Sequence, residues 1–346
     1  MFVTGCHRSG TSLLASVLIS ALELDGDERE PDLEPKPDNP LGFFESERLV
    51  SLNDALLEGI GCHWNQPPLL MPRWDRPPLL ESLIKARSGL GRYALTSQWV
   101  DKDPRLCLTL PAYVHILLKR VPVVAVLRQP LAVATSLHWR DGIPLDGGLA
   151  FWFLHNHHLA AGLAAEDALV TYDALTGAAE PAATAALPAQ LLGFLRDHGV
   201  AVAGAHAIEA ALQQRLNADL NRAGAAVAPP AGSAAPQGEL LAFCQRAYGA
   251  VVAEGTPSLT RFREVFDALP RAVLQALQAA DLVPGPQVVC VPDAADQARL
   301  LELEHQLARS AQTLQASEQQ LADLRRSTSW RLTAPLRALM TGLRRS

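Results

Sequence analysis

Residues 1–18 read MFVTGCHRSGTSLLASVL: a β-prone lead over Met1 to Thr4, a Gly- and Ser-rich turn, then apolar residues at helical spacing. Leu13, Leu14, Val17, Leu18, Ala21 and Leu22 recur on one face after the Ser/Thr-rich start, so the stretch is predicted as strand, turn and helix. Gly5 and Gly10 keep the spacing of the phosphate loop GxxxxGK(S/T). In that loop glycines let backbone N–H groups cradle phosphate, the Lys reaches the terminal phosphoryl group and the hydroxyl holds Mg²⁺. Here Thr11 stands at the Lys position, and the strong cation, Arg8, precedes the second glycine. This argues against nucleoside-triphosphate chemistry while keeping an anion site: the helix start offers N–H groups and a positive dipole end, and Arg8 a forked cation. Two plainer readings compete. A signal peptide is disfavoured by the GTS interruption, the lack of a small-residue cleavage site and the run into DGDEREPDLEP. A plain βα connection can be set aside only by further anion-binding residues.

The chain's 346 residues, 49% hydrophobic, suffice for one large or two ordinary cores. No apolar run reaches the ~18 residues of a membrane span, so a soluble protein is expected. A net charge of −6 and a pI near 5.9 disfavour a general nucleic-acid binder. Cys6, Cys62, Cys107, Cys244 and Cys290 form no CxxC pair, which fits a reducing cytoplasm and offers no zinc spacing. His155, His157 and His158 in WFLHNHHL lack a carboxylate or Cys at ligand spacing and read as the polar face of an aromatic-rich helix, with no metal expected.

From residue 1 to about 175 apolar strands alternate with helical patterns. An acidic, Pro-rich loop (25–42) precedes ESERLVSLNDALLEGIG, where Leu49, Leu52, Leu56 and Ile60 share a face. The Pro-rich NQPPLLMPRWDRPP precedes another helix, and LTLPAYVHILLKR is a helix feeding VPVVAVLR, the continuous apolar run of a buried parallel strand. The predicted class is α/β, a P-loop-like doubly wound parallel sheet flanked by helices, over residues 1–285. Residues 177–236 are an Ala/Pro-rich insert in which LLGFLRDHGV is helical while TGAAEPAATAALPAQ and AGAAVAPPAGSAAPQG read as loops; more helix follows over 238–283. Residues 293–326 carry a heptad, Leu300, Leu307, Leu314 and Leu321 with Leu303, Ser310, Ser317 and Leu324, a coiled-coil candidate that either self-associates or packs as a single helix. Residues 327–346 form a basic tail in which Trp330, Leu332, Leu336, Leu339 and Met340 stand among arginines; it reads equally as an amphipathic segment for anionic lipid and as a solvated tail.

Three more stretches carry chemistry. VDKDPRLC puts Lys102 and Arg105 near a strand end. In VVAVLRQPLAVATSLHWRDG, Arg128 ends a buried strand, Pro130 suits a first helical turn, and Ser136 and Arg140 share a face at i,i+4. ALVTYDAL is a strand ending at Tyr172 and Asp173. Strand C-termini gather the ligand site of a parallel sheet, so Arg8, Lys102, Arg128 and Ser136 are expected to face one crevice.

Together these residues resemble sulfotransferases that use 3′-phosphoadenosine 5′-phosphosulfate (PAPS), in particular the bacterial group and the tyrosylprotein and carbohydrate branches. RSGTS looks like their 5′-phosphosulfate loop, RQPLAVATS like their 3′-phosphate motif, DKDP like the Lys-Asp-Pro of the tyrosylprotein branch and VTYDAL like a V-x-Y-E-x-L strand. The likeness covers residues 1–175 well and 176–285 loosely. It implies metal-free sulfuryl transfer, with Arg8 and Lys102 stabilising the leaving phosphate. Ser9 lies in the same RSGTS loop, where Gly10, Thr11 and Ser12 would hold the 5′-phosphate, Arg128 and Ser136 the 3′-phosphate, and Arg140 and Tyr172 would line the nucleotide. Cytosolic small-molecule members carry a His two residues after the Lys; here that place is Pro104, which puts a His base in doubt. Glu45 is the preferred base by analogy with glutamates of the bacterial and tyrosylprotein branches, provided it reaches the acceptor, with Asp103 and His63 in reserve. SWRLTAPLR after a heptad resembles C-termini of bacterial surface-polysaccharide enzymes, which implies a glycan, glycolipid or other hydroxyl or amine acceptor and a cytoplasmic enzyme in peripheral contact with the inner membrane. The competing readings are a P-loop kinase, which would place Lys at Thr11, and a non-catalytic nucleotide-binding scaffold of glycan assembly.

Overall fold

Side-chain alternation along the strands sorts the core into two layers. In β1 (Phe2–Thr4) Phe2 packs into one hydrophobic cluster and Val3 into another; in β3 (Val123–Leu127) Val123, Ala125 and Leu127 join Phe2 while Val124 and Val126 join Val3; β4 (Ala168–Thr171) divides in the same way, Leu169 against Ala168 and Val170. Every residue of β3 is buried, as a strand covered on both faces must be. With β2 (Asp101–Lys102) these strands form, among the described residues, a four-stranded sheet in the order β2-β1-β3-β4 with every pair parallel. Phe2 lies opposite both Asp101 and Val123, and Val124 opposite Ala168. This computed structural model describes residues 1–24, 44–76, 79–86, 98–216, 238–253 and 255–282, with isolated positions at 90, 93 and between 309 and 326.

Helices cover both faces. The Val3 side carries α1 (Thr11–Ala21), and the Phe2 side carries α2 (Glu47–Glu58), α3 (Leu79–Ala86), α4 (Leu106–Leu117), α5 (Pro130–Asp141) and α6 (Leu145–Gly162). After β4 come α7 (Tyr172–Thr176), α8 (Pro181–Asp197) and α9 (Ala205–Arg215) on the Val3 side. Then α10 (Gly238–Val251), α11 (Leu259–Val265) and α12 (Arg271–Ala279) return to the Phe2 side. The chain leaves β1 toward one edge and β3 toward the other, so the strand order reverses between them and their C-terminal ends open a crevice there.

Three expectations change. The strand of ALVTYDAL ends at Thr171, whose hydroxyl accepts from Ala174 N at 3.2 Å and starts α7 at Tyr172. TGAAEPAATAALPAQ is helical from Pro181 onward: Pro181 suits the first helical position, alanine is the strongest helix former, and Leu187, Leu191, Phe194 and Leu195 bury a stripe that offsets the hydrogen bond lost at Pro188. The histidines of α6 are no polar face, since that helix is buried almost all round. His155 donates to Phe151 O at 3.0 Å and His158 to Pro68 O, and burial holds their pKa values at about 3 and about 4. On α2, Leu49 and Leu56 are buried as expected and share the interior with Asn53, while Ile60 lies beyond the helix end.

Among the described residues no group of three or more His, Cys, Asp or Glu is placed to hold a metal ion, and no helix is long and apolar enough to cross a membrane. Cys6, Cys62, Cys107 and Cys244 are buried free thiols. The acidic loop 25–42 (beyond the described residues), AGAAVAPPAGSAAPQG up to residue 237, most of the heptad segment 293–326 and the whole tail 327–346 lie outside the described residues.

Candidate functional site

The turn between β1 and α1 is shaped by close approach. At Gly5 a Cβ would stand 2.5 Å from Val126 O, and at Gly10, with φ +91°, it would stand 2.3 Å from the Tyr172 ring. Arg8 adopts a left-handed φ of 69°, a conformation that costs a non-glycine residue free energy and marks a constrained site. Its Nε donates to Ser136 Oγ of α5 at 2.8 Å, closing a contact across 128 residues. Arg128 Nη1 donates to Arg8 O at 2.7 Å, and its guanidinium lies 4.0 Å from the Tyr172 ring centroid. Trp152 Nε1 in turn donates to Arg128 O at 3.0 Å. Burial lowers the Arg128 pKa below the usual arginine value and Arg8 adds to the effect. A guanidinium stays charged even so, and two arginines on one loop, each raising the cost of the other's charge, favour an anion near them.

Two helix N-termini open here. Neither α1 nor α5 has a side-chain cap or an acidic residue in its first turn, which leaves their N–H groups and dipoles to an incoming anion. Ser9 Oγ is buried and has no hydrogen-bond partner among the described residues, and burying a hydroxyl unpaired costs about 1–3 kcal/mol. A phosphate or sulfuryl oxygen would satisfy it. Ser9, Gly10, Thr11 and Ser12 thus line a candidate anion cradle flanked by Arg8, Arg128 and Ser136.

On the other side of the cradle stands Lys102, 1% exposed, whose Nζ donates to Ser12 Oγ at 3.2 Å and to the Glu45 carboxylate. A short framework places the pair. Ser46 caps α2, accepting from Leu49 N at 3.3 Å, and donates to Asp101 Oδ2 at 2.9 Å, while Lys102 N donates to Asp101 Oδ1 at 3.0 Å. Tyr93 OH also donates to Asp101. Asn53 Nδ2 donates to Asp103 Oδ2 at 2.8 Å, and Thr109 and Tyr113 donate to Asn53 Oδ1 at 2.7 and 2.9 Å. Burial pushes the Glu45 pKa up against the opposing pull of Lys102, and Asp103 adds to the rise.

The reserve bases fare differently. Asp103 is fully buried and accepts from Asn53 and from the backbone and guanidinium of Arg105, so it belongs to the framework. His63 stands exposed on a turn whose backbone pairs with Gln66, outside the cluster. Arg140 pairs with Asp141 at 2.8 Å and lies 5.2 Å from the Trp64 ring centroid. That is the His7 side of the cradle, since the Trp64 ring lies tilted against His7 with centroids 4.7 Å apart, and of the two expected nucleotide-lining residues Tyr172 stands beside Arg128.

Comparison with protein-family models, with curated proteins and with solved structures returns no match. The functional reading therefore rests on side-chain chemistry. Sequence reasoning missed His7, Trp64 and Asn53. His7 is inside the loop motif and was legible by position; Trp64 and Asn53 carry no local signal, because their roles come from distant partners, Arg140 of α5 for Trp64 and Asp103, Thr109 and Tyr113 for Asn53. A cleft of about 520 Å³ between α6 and α11, lined by His157, Thr260, Arg263, Glu264 and Asp267, shares none of the cradle residues.

Proposed function

We propose that the chain is a PAPS-dependent sulfotransferase with a P-loop-like donor loop, passing a sulfuryl group to a hydroxyl or amine of a glycan or glycolipid. One observation carries the reading: Arg8, Ser136 and Arg128, from motifs far apart in the chain, meet in hydrogen bonds of 2.8 and 2.7 Å beside an uncapped helix N-terminus. In this reading Ser9 to Ser12 hold the 5′-phosphosulfate and Arg128 with Ser136 the 3′-phosphate, next to Tyr172. Lys102 and Arg8 meet the charge that develops on the leaving phosphate oxygen, and donors fixed where charge appears are worth most in a buried site. Glu45 takes the acceptor proton. A kinase is disfavoured by Thr11 and by the commitment of Asp101 and Asp103 to Ser46, Tyr93, Asn53 and Arg105. The glycan acceptor, the peripheral membrane contact and any coiled-coil association derive from the C-terminal segment and belong to the same proposal.

Incubation of the purified chain with PAPS carrying radiolabelled sulfate and a panel of lipid-linked and free glycans tests it. Label transferred by the wild type and reduced by at least a hundredfold or so in Lys102→Met is expected. Transfer that is unaffected by Lys102→Met would remove Lys102 from the mechanism.

A further inference from the structure

We infer that the buried Lys102–Glu45 pair is an exchange switch, in which the bound donor draws Lys102 away from Glu45 and leaves Glu45 as the proton acceptor for the hydroxyl that follows. The inference rests on the sulfotransferase reading and adds an order to it: donor first, acceptor second.

Lys102 and Glu45 are 1% and 8% exposed at the side chain. An ammonium so deeply buried needs a counter-charge, and Glu45 supplies it. While the two are joined, the pair is neutral and offers an anion little net attraction. The same ammonium stands 3.2 Å from Ser12 Oγ in the first turn of α1, so it already borders the cradle, and negative charge arriving there competes directly with Glu45. Once Lys102 turns, the cation paired with Glu45 among the described residues is Arg105, 3.9 Å away, and its guanidinium is committed to Asp54 at 2.6 Å and Asp103 at 3.1 Å. Burial already raises the proton affinity of Glu45 and Lys102 is the main influence opposing it, so losing Lys102 makes the carboxylate a stronger base.

The transfer step then balances without a redox partner. The acceptor oxygen bonds to sulfur as the sulfur–oxygen bond to the phosphate breaks. The acceptor proton passes to Glu45, and the electron pair of the broken bond stays on the phosphate oxygen beside Lys102. The framework serves the exchange, because Ser46–Asp101 and Asn53–Asp103 hold α2 and β2 in place while only the lysine side chain moves.

Calorimetric titration with 3′-phosphoadenosine 5′-phosphate tests the exchange. Glu45→Gln removes the competitor for Lys102, so the variant should bind the nucleotide about tenfold tighter than the wild type. Its turnover should fall by roughly a hundredfold or more. The gain in affinity should vanish when Lys102→Met is compared with Lys102→Met/Glu45→Gln. Glu45→Asp, which keeps the charge but draws it back by one methylene, should show a smaller gain and serves if the Gln variant does not fold. Binding by both Glu45 variants that equals or falls below the wild type would overturn the exchange while leaving the donor site standing. A folded wild type that fails to bind the nucleotide would overturn the donor site and the exchange with it.

Discussion

Gly10 is held by two constraints at once, a left-handed φ of +91° and a Tyr172 ring that would lie 2.3 Å from any added Cβ. Gly142 has a similar φ of +72° with nothing within 4 Å. Gly10→Ala should therefore destabilise the protein by about 1–3 kcal/mol and also displace Tyr172 from Arg128, whereas Gly142→Ala should cost only about 1 kcal/mol and leave nucleotide affinity unchanged. Thermal unfolding beside a binding titration separates the two; equal effects would mean that the Tyr172 contact is irrelevant to the cradle. Arg8 presents the opposite trade. Its φ of 69° is one that glycine adopts without cost, so Arg8→Gly should keep the thermal midpoint within a few degrees while nucleotide affinity falls tenfold or more. At this scale the sequence was informative where spacing encodes chemistry. Arg8, Lys102, Arg128 and Ser136 could be chosen from local patterns because strand ends and helix starts determine where they point. Arg140 could not be placed that way: it shares a helical face with Ser136, yet its guanidinium pairs with Asp141 and lies over the Trp64 ring.

Among elements, the join between α2 and β2 decides whether Glu45 meets Lys102. Asn53 is fully buried and links Asp103 on the strand side to Thr109 and Tyr113 of α4. Asn53→Leu removes the partner of Asp103 Oδ2 and of the Tyr113 hydroxyl and leaves Thr109 its bond to Arg105 O, and should cost about 2–5 kcal/mol in urea unfolding. A cost below about 1 kcal/mol would show that the network contributes little. The alternation of strand and helix was legible because periodicity is a local property, and so was Pro130 at the start of α5. The helix at Pro181 was hidden because alanine and proline together resemble a linker in composition. Burial of Leu187, Leu191, Phe194 and Leu195 against the sheet, which composition does not show, adds to the helix-forming strength of alanine and fixes that segment as helix.

Across the whole molecule, buried histidines tie stability to pH. Burial lowers the pKa values of His155 to about 3 and of His158 to about 4, and holds His7 well below 6.5. The unfolded chain takes up protons at these sites near pH 6.5 while the folded chain does not, so their stabilisation is complete above pH 6.5 and is lost as pH falls toward 4 and 3. Each histidine contributes a slope of about 1.4 kcal/mol per pH unit in that window. The urea midpoint should drop steadily between pH 7 and pH 5, and His155→Phe should flatten the decline; a midpoint independent of pH would show that these rings protonate within the fold. Neither this interior nor the strand order β2-β1-β3-β4 could be read from the sequence, because both arise from contacts between distant segments.

The central claim is that the cradle between β1 and β3 holds a nucleotide by its 3′-phosphate. Calorimetric titration of the full chain with 3′-phosphoadenosine 5′-phosphate, beside ADP and an Arg128→Ala variant, tests it most directly. Micromolar binding is expected, which ADP fails to match and the variant loses. Equal binding of ADP, or undiminished binding by folded Arg128→Ala, would contradict it.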